Sequence, residues 1–503
     1  MTVRVRYAPS PTGLAHVGNV RTAIYNWLYA RKMGGTFIAR LEDTDRSAER
    51  YSPEGIWDLE ASMRYLGIVP DEWWVSGGPH EPYVQSRRLP IYLGYAEQLL
   101  QSGGAYRCYC TRERLEAMRT EQQLMKQPTG YDRRCRNLSV EERTRLDKAG
   151  TPSVVRLAMP LDGETVVHDL IRGEIRYDNR SQDDQVLLKS DGYPTYFLAC
   201  VVDDHLMGIT HVIRGDDWLS SAPKFVQVSR ALGWEPPPLA HPSLIVGPDH
   251  KKLGKRHGST QFAEFVRDGY LPEALFNFLV LLGWSPGSEQ VELLSVPEII
   301  ERFGLEGLSE HPAVFDYDKL RWMNGQYIRA SEPGRIIGLC LPYLSQAGLV
   351  SDRPTEEELA YVRRVVPLEI ERLKTIGEIT DLVRFFFKEP AFPAEFDDKG
   401  VRKWLKADSA GSILERQMLG FKAVDEWTPE RLEEITHASA ESLGLPFGPV
   451  VHTTRLAATG RTTGPGLFDT LDVLGRDRVL RRLAAVQSQL PLGADTVEAG
   501  GDA

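Results

Sequence analysis

Two hydrophobic rhythms divide this chain: short apolar runs between turns in its first part, and long helical periodicity in its last. Val3 to Ala8 reads as a strand, and Pro9-Ser10-Pro11-Thr12-Gly13 follows as a rigid turn incompatible with helix. From Val20 onward Ala23, Ile24, Trp27 and Leu28 recur at helical spacing, which predicts a helix beginning near Gly18. Gly34-Gly35 stops it before a β-rich run, Thr36 to Leu41. The three segments predict a β-α-β unit. Ligands in such units sit at the carboxyl ends of the strands, where the helix N-terminus presents unpaired N–H groups to anions. His16 and Gly18 are therefore placed at the ligand. A structural alternative stands beside this reading, because Pro-x-Pro-x-Gly often only turns a chain.

Further along, Leu244-Ile245-Val246 reads as another strand and runs into Gly247-Pro248-Asp249-His250-Lys251-Lys252-Leu253-Gly254-Lys255-Arg256. Five basic side chains and two glycines crowd this loop, and read alone it is a solvated basic loop. After Gly325 the pattern turns helical through Leu382 and again from Ser412 to Leu443, with few strand signals. Pro390 and Pro393 break it and mark a boundary between helical domains.

At 503 residues the chain exceeds one hydrophobic core, so several domains are expected. The longest apolar patch, Ala274 to Trp284, is interrupted and too short to cross a bilayer, and Met1 to Arg6 lacks a signal peptide's apolar core. A cytoplasmic address and no membrane partner are expected. A net charge of −10 argues against indiscriminate binding to polyanions but allows RNA held by local basic patches. Five cysteines are no disulfide framework. Three of them, in Cys108-Tyr109-Cys110 and Tyr131-Asp132-Arg133-Arg134-Cys135, suggest zinc; reduced thiols packed in a small domain are the alternative. Cys200 and Cys340 stand among apolar residues and read as small buried hydrophobes.

His16-Val17-Gly18-Asn19 resembles the HIGH motif of class I aminoacyl-tRNA synthetases, and Lys252-Leu253-Gly254-Lys255-Arg256 resembles their KMSKS loop. Arg6 to Gly13, Arg40 to Asp45, Asp191 to Tyr196 and Val201 to His205 are similar to bacterial glutamyl-tRNA synthetases. Similarity continues through Leu320 to Gly325 and returns weakly at Thr463 to Phe468. Two departures stand out: Asn19 replaces the last histidine of the first motif, and Gly254 stands where a serine is usual. The second removes a hydroxyl and adds flexibility to a loop that closes on triphosphate.

The resemblance implies an α/β fold: a Rossmann-type catalytic domain split by an α+β insertion, followed by all-α anticodon-binding domains. Its implied limits are 1–81 and 193–265 for the catalytic halves, 82–192 for the acceptor-stem insertion, and 266–330 for a stem-contact helical domain. Helical anticodon-binding domains follow at 331–389 and 390–492, with a disordered tail at 493–503. The implied activity is ATP- and Mg²⁺-dependent ligation of L-glutamate to tRNA(Glu) by a monomer, through a glutamyl-adenylate passed to the terminal ribose 2′-OH. Activation would await bound tRNA. His16, Gly18, Lys252 and Lys255 would be catalytic, with Pro9, Gly13 and Asn19 completing the ATP site.

Arg6 with Tyr196 would read glutamate's side-chain carboxylate and Glu42 its ammonium, with Ala8, Ser10 and Arg214 completing the pocket. Alternatively, Glu42 simply pairs with Arg40 or Arg46 at the surface. Cys108, Cys110, Tyr131 and Cys135 match the zinc set of some glutamyl enzymes; others use a histidine where Asn137 stands here. Arg372 falls where relatives inspect the anticodon, and Arg455 opens a group with Arg461, Arg476, Arg478, Arg481 and Arg482 that suits RNA or a solvated helix face. A silent tRNA-binding paralogue and an enzyme that also charges tRNA(Gln) are the rival readings.

Overall fold

A computed structural model describes residues 2–45, 51–287 and 291–490, with the Lys255 side chain outside the description. Arg46 and the tail 493–503 also lie outside the described residues. The chain forms two compact units, Met1–Val266 with Pro272–Leu320, and Arg267–Leu271 with Arg321–Ala503.

The first unit opens with β1 (Arg4–Tyr7), α1 (Val17–Lys32) and β2 (Thr36–Ala39). β1 and β2 pair in parallel with Arg6 opposite Ile38, as the sequence pattern predicts. Ile24, Tyr25, Leu28 and Ala30 bury the inner stripe of α1, each large apolar side chain contributing on the order of 1.5–3 kcal/mol. Arg31 and Lys32 close its last turn, where cations offset the negative end of the helix dipole.

α2 (Pro53–Tyr65) and α3 (Leu89–Ser102) precede β3 (Ala105–Cys108), α4 (Arg112–Leu124), α5 (Val140–Lys148) and β4 (Val154–Leu157). β5 (Glu164–Asp169), β6 (Gly173–Asp178) and β7 (Val186–Leu188) follow. β3, β4 and β7 make an antiparallel sheet. α6 (Tyr196–Leu206), β8 (Val212–Ile213), α7 (Ala222–Ala231), β9 (Leu239–Ala240), β10 (Ile245–Val246) and β11 (Ala313–Val314) complete the labelled elements.

The hairpin β5–β6 lies in the stretch assigned by resemblance to the insertion, yet β5 joins a sheet of order β6-β5-β9-β8. β5, β9 and β8 are mutually parallel, so their carboxyl ends share one edge. The Thr210 N–H donates to Arg4 O at 2.9 Å and ties the approach to β8 onto β1. Leu99, Leu157, Leu187, Leu198, Val202 and Phe225 form one core between α3, α6 and α7.

The described part of the second unit is helical, from Pro333–Gln346 to Arg476–Gln487, without a strand. Pro390 and Pro393 separate Ile379–Phe387 from the helices that follow. The arginine group near its end divides. Arg482 is buried and donates to the carbonyls of Ala458 and Phe385 at 2.7 Å each, Arg478 donates to the Tyr361 hydroxyl at 2.9 Å, and Arg476 bonds Val424 O. These three tie helices together, Arg482 from the interior and Arg476 and Arg478 from half-buried positions.

Candidate active site and candidate metal centre

His16 is the N-cap of α1, and its Nδ1 accepts the Gly18 N–H at 3.2 Å. An accepting Nδ1 leaves Nε2 to carry the proton, so the ring is neutral and can donate outward. Burial and the nearby Lys252 ammonium lower its pKa, against the pull of Asp217. A Cβ on Gly18 would meet the His16 ring at 3.1 Å, which makes glycine the residue that leaves the cap room.

The basic loop returns to this point. Val246 and Lys252 bridge in antiparallel register after β10, and Lys252 Nζ lies 3.1 Å from Asp217 Oδ1. Downstream, the Val17 N–H donates to Thr260 O at 3.1 Å and the Phe262 N–H to Ala15 O at 2.9 Å. The two distant motifs therefore come together, and the charges of both Lys252 and Asp217 act on the His16 ring. Lys255 opens the short turn Lys255–His257. His257 braces the loop: its Nδ1 accepts the Gly254 N–H at 3.2 Å, and a Cβ on Gly247 would meet its ring at 2.7 Å. Nothing closer than 3.9 Å surrounds the Cβ position of Gly254, so packing does not require glycine there.

Around Arg6, Glu42 and Tyr196 lies an ionic network that sequence reading missed. Arg6 Nε donates to Asp204 at 3.1 Å. Arg40, fully buried, donates to Asp204 and to Glu42 at 2.9 Å each. Asp203 takes Arg88 Nε at 2.8 Å, the Tyr92 hydroxyl at 2.7 Å and Gln85 at 3.1 Å. Glu42 does pair with Arg40, but in the interior and not at the surface. Burial pushes its carboxyl up to about 7 against the pull of Arg40 and Arg6. Cys200 is buried as expected, though its Sγ faces charge: Arg6 and Arg40 lie 3.7 Å away and Asp204 3.5 Å. Burial and Asp204 push the thiol up to about 12, so it stays neutral. Tyr196 lies beside Trp218, ring centroids 4.3 Å apart, and burial raises the pKa of its hydroxyl, with the Glu42 charge adding to the rise and Arg214 and Arg6 opposing it. Ser10 and Gly13 are exposed, Ala8 and Asn19 half-buried, and Pro9 buried along the same turn and helix start.

Arg214 differs from the buried guanidiniums of Arg6, Arg40 and Arg88. Its Nε donates to His241 Nε2 at 3.1 Å and its Cζ lies 4.0 Å from the Phe225 ring centroid. Its Nη2 is buried with no hydrogen-bond partner, and no carboxylate pairs with it among the described residues. The guanidiniums of Arg6, Arg40 and Arg88 are neutralised by Glu42, Asp203 and Asp204. Of these four, Arg214 alone has no carboxylate partner among the described residues.

In the insertion, the sulfurs of Cys108, Cys110 and Cys135 lie within 4.8 Å of one another. Tyr131 Oη stands 3.3 Å from Cys108 Sγ and 3.6 Å from Cys110 Sγ. The Cys135 N–H donates to that oxygen at 3.0 Å, and Arg114 Nη1 to Cys110 Sγ at 3.5 Å. Hydrogen bonds from Cys135 and Tyr131 hold the Cys108 thiol far below its ordinary range, against burial. Three soft sulfurs and one oxygen, with donors arranged around them, fit a tetrahedral zinc ion.

A β-α-β unit with a histidine at its helix cap, and a distant basic loop folded back onto it, defines the nucleotide site of a class I aminoacyl-tRNA synthetase. Residues 2–322 match the family model "tRNA synthetases class I (E and Q), catalytic domain", and residues 335–487 match "Anticodon binding domain". A glutamate–tRNA ligase of Moorella thermoacetica is 44% identical over 481 residues, covering 96% of this chain and 97% of that protein. The glutamate–tRNA ligase of Desulforudis audaxviator is 45% identical over 484 residues, covering 96% and 95%. The crystal structure of a glutamate tRNA ligase from Elizabethkingia meningosepticum, in complex with its amino acid, superposes with a TM-score of 0.87 at 34% identity, covering 97% of this chain and all of that one. The chain belongs to the glutamate–tRNA ligase family of class I synthetases.

Proposed function

We infer that this chain joins L-glutamate to tRNA(Glu) with ATP, first forming glutamyl-adenylate and then transferring the glutamyl group to the terminal ribose 2′-OH. The approach of Lys252 and its partner Asp217 to His16 carries the reading. Glutamate's α-carboxylate is already a nucleophile, so attack on the α-phosphate of ATP needs no general base. The protein supplies alignment and neutralises charge on the phosphates and the leaving pyrophosphate. His16 Nε2–H donates to the α-phosphate; Lys252, released from Asp217, and Lys255 take the triphosphate, whose charge Mg²⁺ would help to neutralise. Pro9, Gly13, Gly18 and Asn19 line the nucleotide.

In the amino-acid pocket Glu42 takes the substrate ammonium and Arg214 a carboxylate, with Ala8, Ser10 and Tyr196 shaping the walls. The unpaired Nη2 of Arg214 supports that choice, since Arg6 is already committed to Asp204 and Cys200. Arg6 then completes the pocket by holding the Asp204 side in place. Glutamine would leave the Arg214 charge unmatched, which costs about 3–5 kcal/mol when a buried charge loses its partner. Zinc at Cys108, Cys110, Tyr131 and Cys135 would brace the insertion, and Arg372 and Arg455 would touch the tRNA. A cytoplasmic monomer completes the reading.

Pyrophosphate exchange tests it. Glutamate-dependent exchange of labelled pyrophosphate into ATP is expected once tRNA(Glu) is added; no exchange with tRNA present would favour a silent tRNA-binding protein.

A further inference from the structure

Three residues distant in sequence meet at the shared carboxyl edge of parallel strands β5, β9 and β8. Asp169 is the last residue of β5, His241 follows β9, and Arg214 follows β8. All three are at most 5% exposed. His241 Nδ1 lies 2.6 Å from Asp169 Oδ2, while His241 Nε2 lies 3.1 Å from Arg214 Nε. An arginine Nε–H only donates, so Nε2 must accept; the ring proton therefore sits on Nδ1 and is donated to Asp169. The opposite Asp169 oxygen, Oδ1, takes the backbone N–H groups of Ile171 and Arg172 at 2.9 and 3.0 Å. Every hydrogen bond in this chain thus has one direction, and it ends at the guanidinium whose Nη2 is unpaired.

We propose that Asp169 and His241 are positioning residues for amino-acid selection, a buried carboxylate–imidazole pair that sets the orientation of the Arg214 guanidinium toward the substrate carboxylate. This rests on the reading of Arg214 as a carboxylate holder. Burial and the Arg214 charge both lower the His241 pKa, consistent with a neutral ring, although Asp169 pulls the other way. Phe225 covers one face of the guanidinium while the imidazole takes its Nε edge, so two contacts of different kind fix its plane.

Substitution separates the relay from mere packing. In Asp169→Asn the carbonyl oxygen must stay on the Ile171 and Arg172 N–H groups, which turns the amide NH₂ toward His241 Nδ1. The ring proton then moves to Nε2 and confronts the Arg214 N–H. His241→Asn keeps a donor toward Asp169 but loses the acceptor facing Arg214, whereas His241→Gln puts an oxygen near the Nε2 position. Asp169→Asn and His241→Asn are expected to raise the glutamate KM about ten- to hundredfold, the loss of one hydrogen bond to a charged group. The ATP KM should hold, and His241→Gln should recover most of the loss.

In the wild-type full chain, ¹⁵N spectra of labelled histidine should show His241 as the Nδ1–H tautomer, switching to Nε2–H in Asp169→Asn. A wild-type Nε2–H tautomer, or equal rises in the glutamate and ATP KM values, would overturn the proposal whether or not every variant folds. Arg214→Ala serves as the control. An unchanged glutamate KM there would sink the pocket reading itself, while a raised one beside unaffected Asp169 and His241 variants would sink only the relay.

Discussion

The His16 ring is spoken for on one side and free on the other, because capping α1 uses Nδ1 and leaves Nε2–H for a phosphate. Glu42 offers a pH test of the same kind of constraint. Its carboxyl, moved from 4.5 to about 7 by burial, must be ionised to hold an ammonium. The glutamate KM should therefore fall as pH rises from 6 to 8, and Glu42→Gln should flatten that profile while raising the KM throughout. The sign for stability is opposite: the folded form binds this proton more tightly than the unfolded chain, so its contribution is present at low pH and lost as pH rises through the window from 4.5 to about 7. At Gly254 there is room for a Cβ. Gly254→Ser should leave the melting temperature of the chain nearly unchanged and speed pyrophosphate exchange about two- to fivefold, the factor by which a lost glycine entropy of ~0.4–1 kcal/mol favours an ordered loop. A slower variant would mean that glycine serves the loop's closure.

Elements here do more than connect. The turn between β10 and Lys252 carries the ammonium because Gly247 lets the His257 ring lie against bare backbone. In the insertion, β3 ends on Cys108 and the short turn Arg134–Asn137 supplies Cys135, so two local structures converge on one ligand set. The purified protein should hold close to one zinc ion; less than about a tenth of an equivalent before chelation would end the proposal. Chelation should loosen the lobe around Tyr106, Tyr109 and Tyr131, seen as faster proteolysis between residues 105 and 140, with the rest of the unit unaffected.

At the scale of the molecule, a chain with net charge −10 must grip RNA through a few local cations, and the engagement of buried Arg482 and half-buried Arg476 and Arg478 with acceptors of the protein itself narrows them further. Arg372 pairs with Glu369 at 2.7 Å, and Arg455 donates to Pro465 O at 2.8 Å. Arg372→Ala should raise the tRNA KM about tenfold without moving the glutamate KM, and charging tRNA(Glu) and tRNA(Gln) transcripts in parallel reads whether it also sets their ratio. Local pattern sufficed for the β-α-β unit, the helical second unit and the cysteine cluster, because periodicity, turn residues and short spacings are written in neighbouring positions, whereas the pairing of His16 with Lys252 and the place of Tyr131 beside the cysteines came from the family resemblance. The partners of Arg6 and Arg214, and the interior setting of the Arg40–Glu42 pair, were not legible: a charged residue in a strand looks the same whether it faces water or a buried carboxylate. Only the tertiary fold, by bringing Asp204 of α6 to Arg6 of β1 and laying the ends of β5, β8 and β9 side by side, decided that Asp204 neutralises Arg6 while Arg214 meets an imidazole and no carboxylate among the described residues.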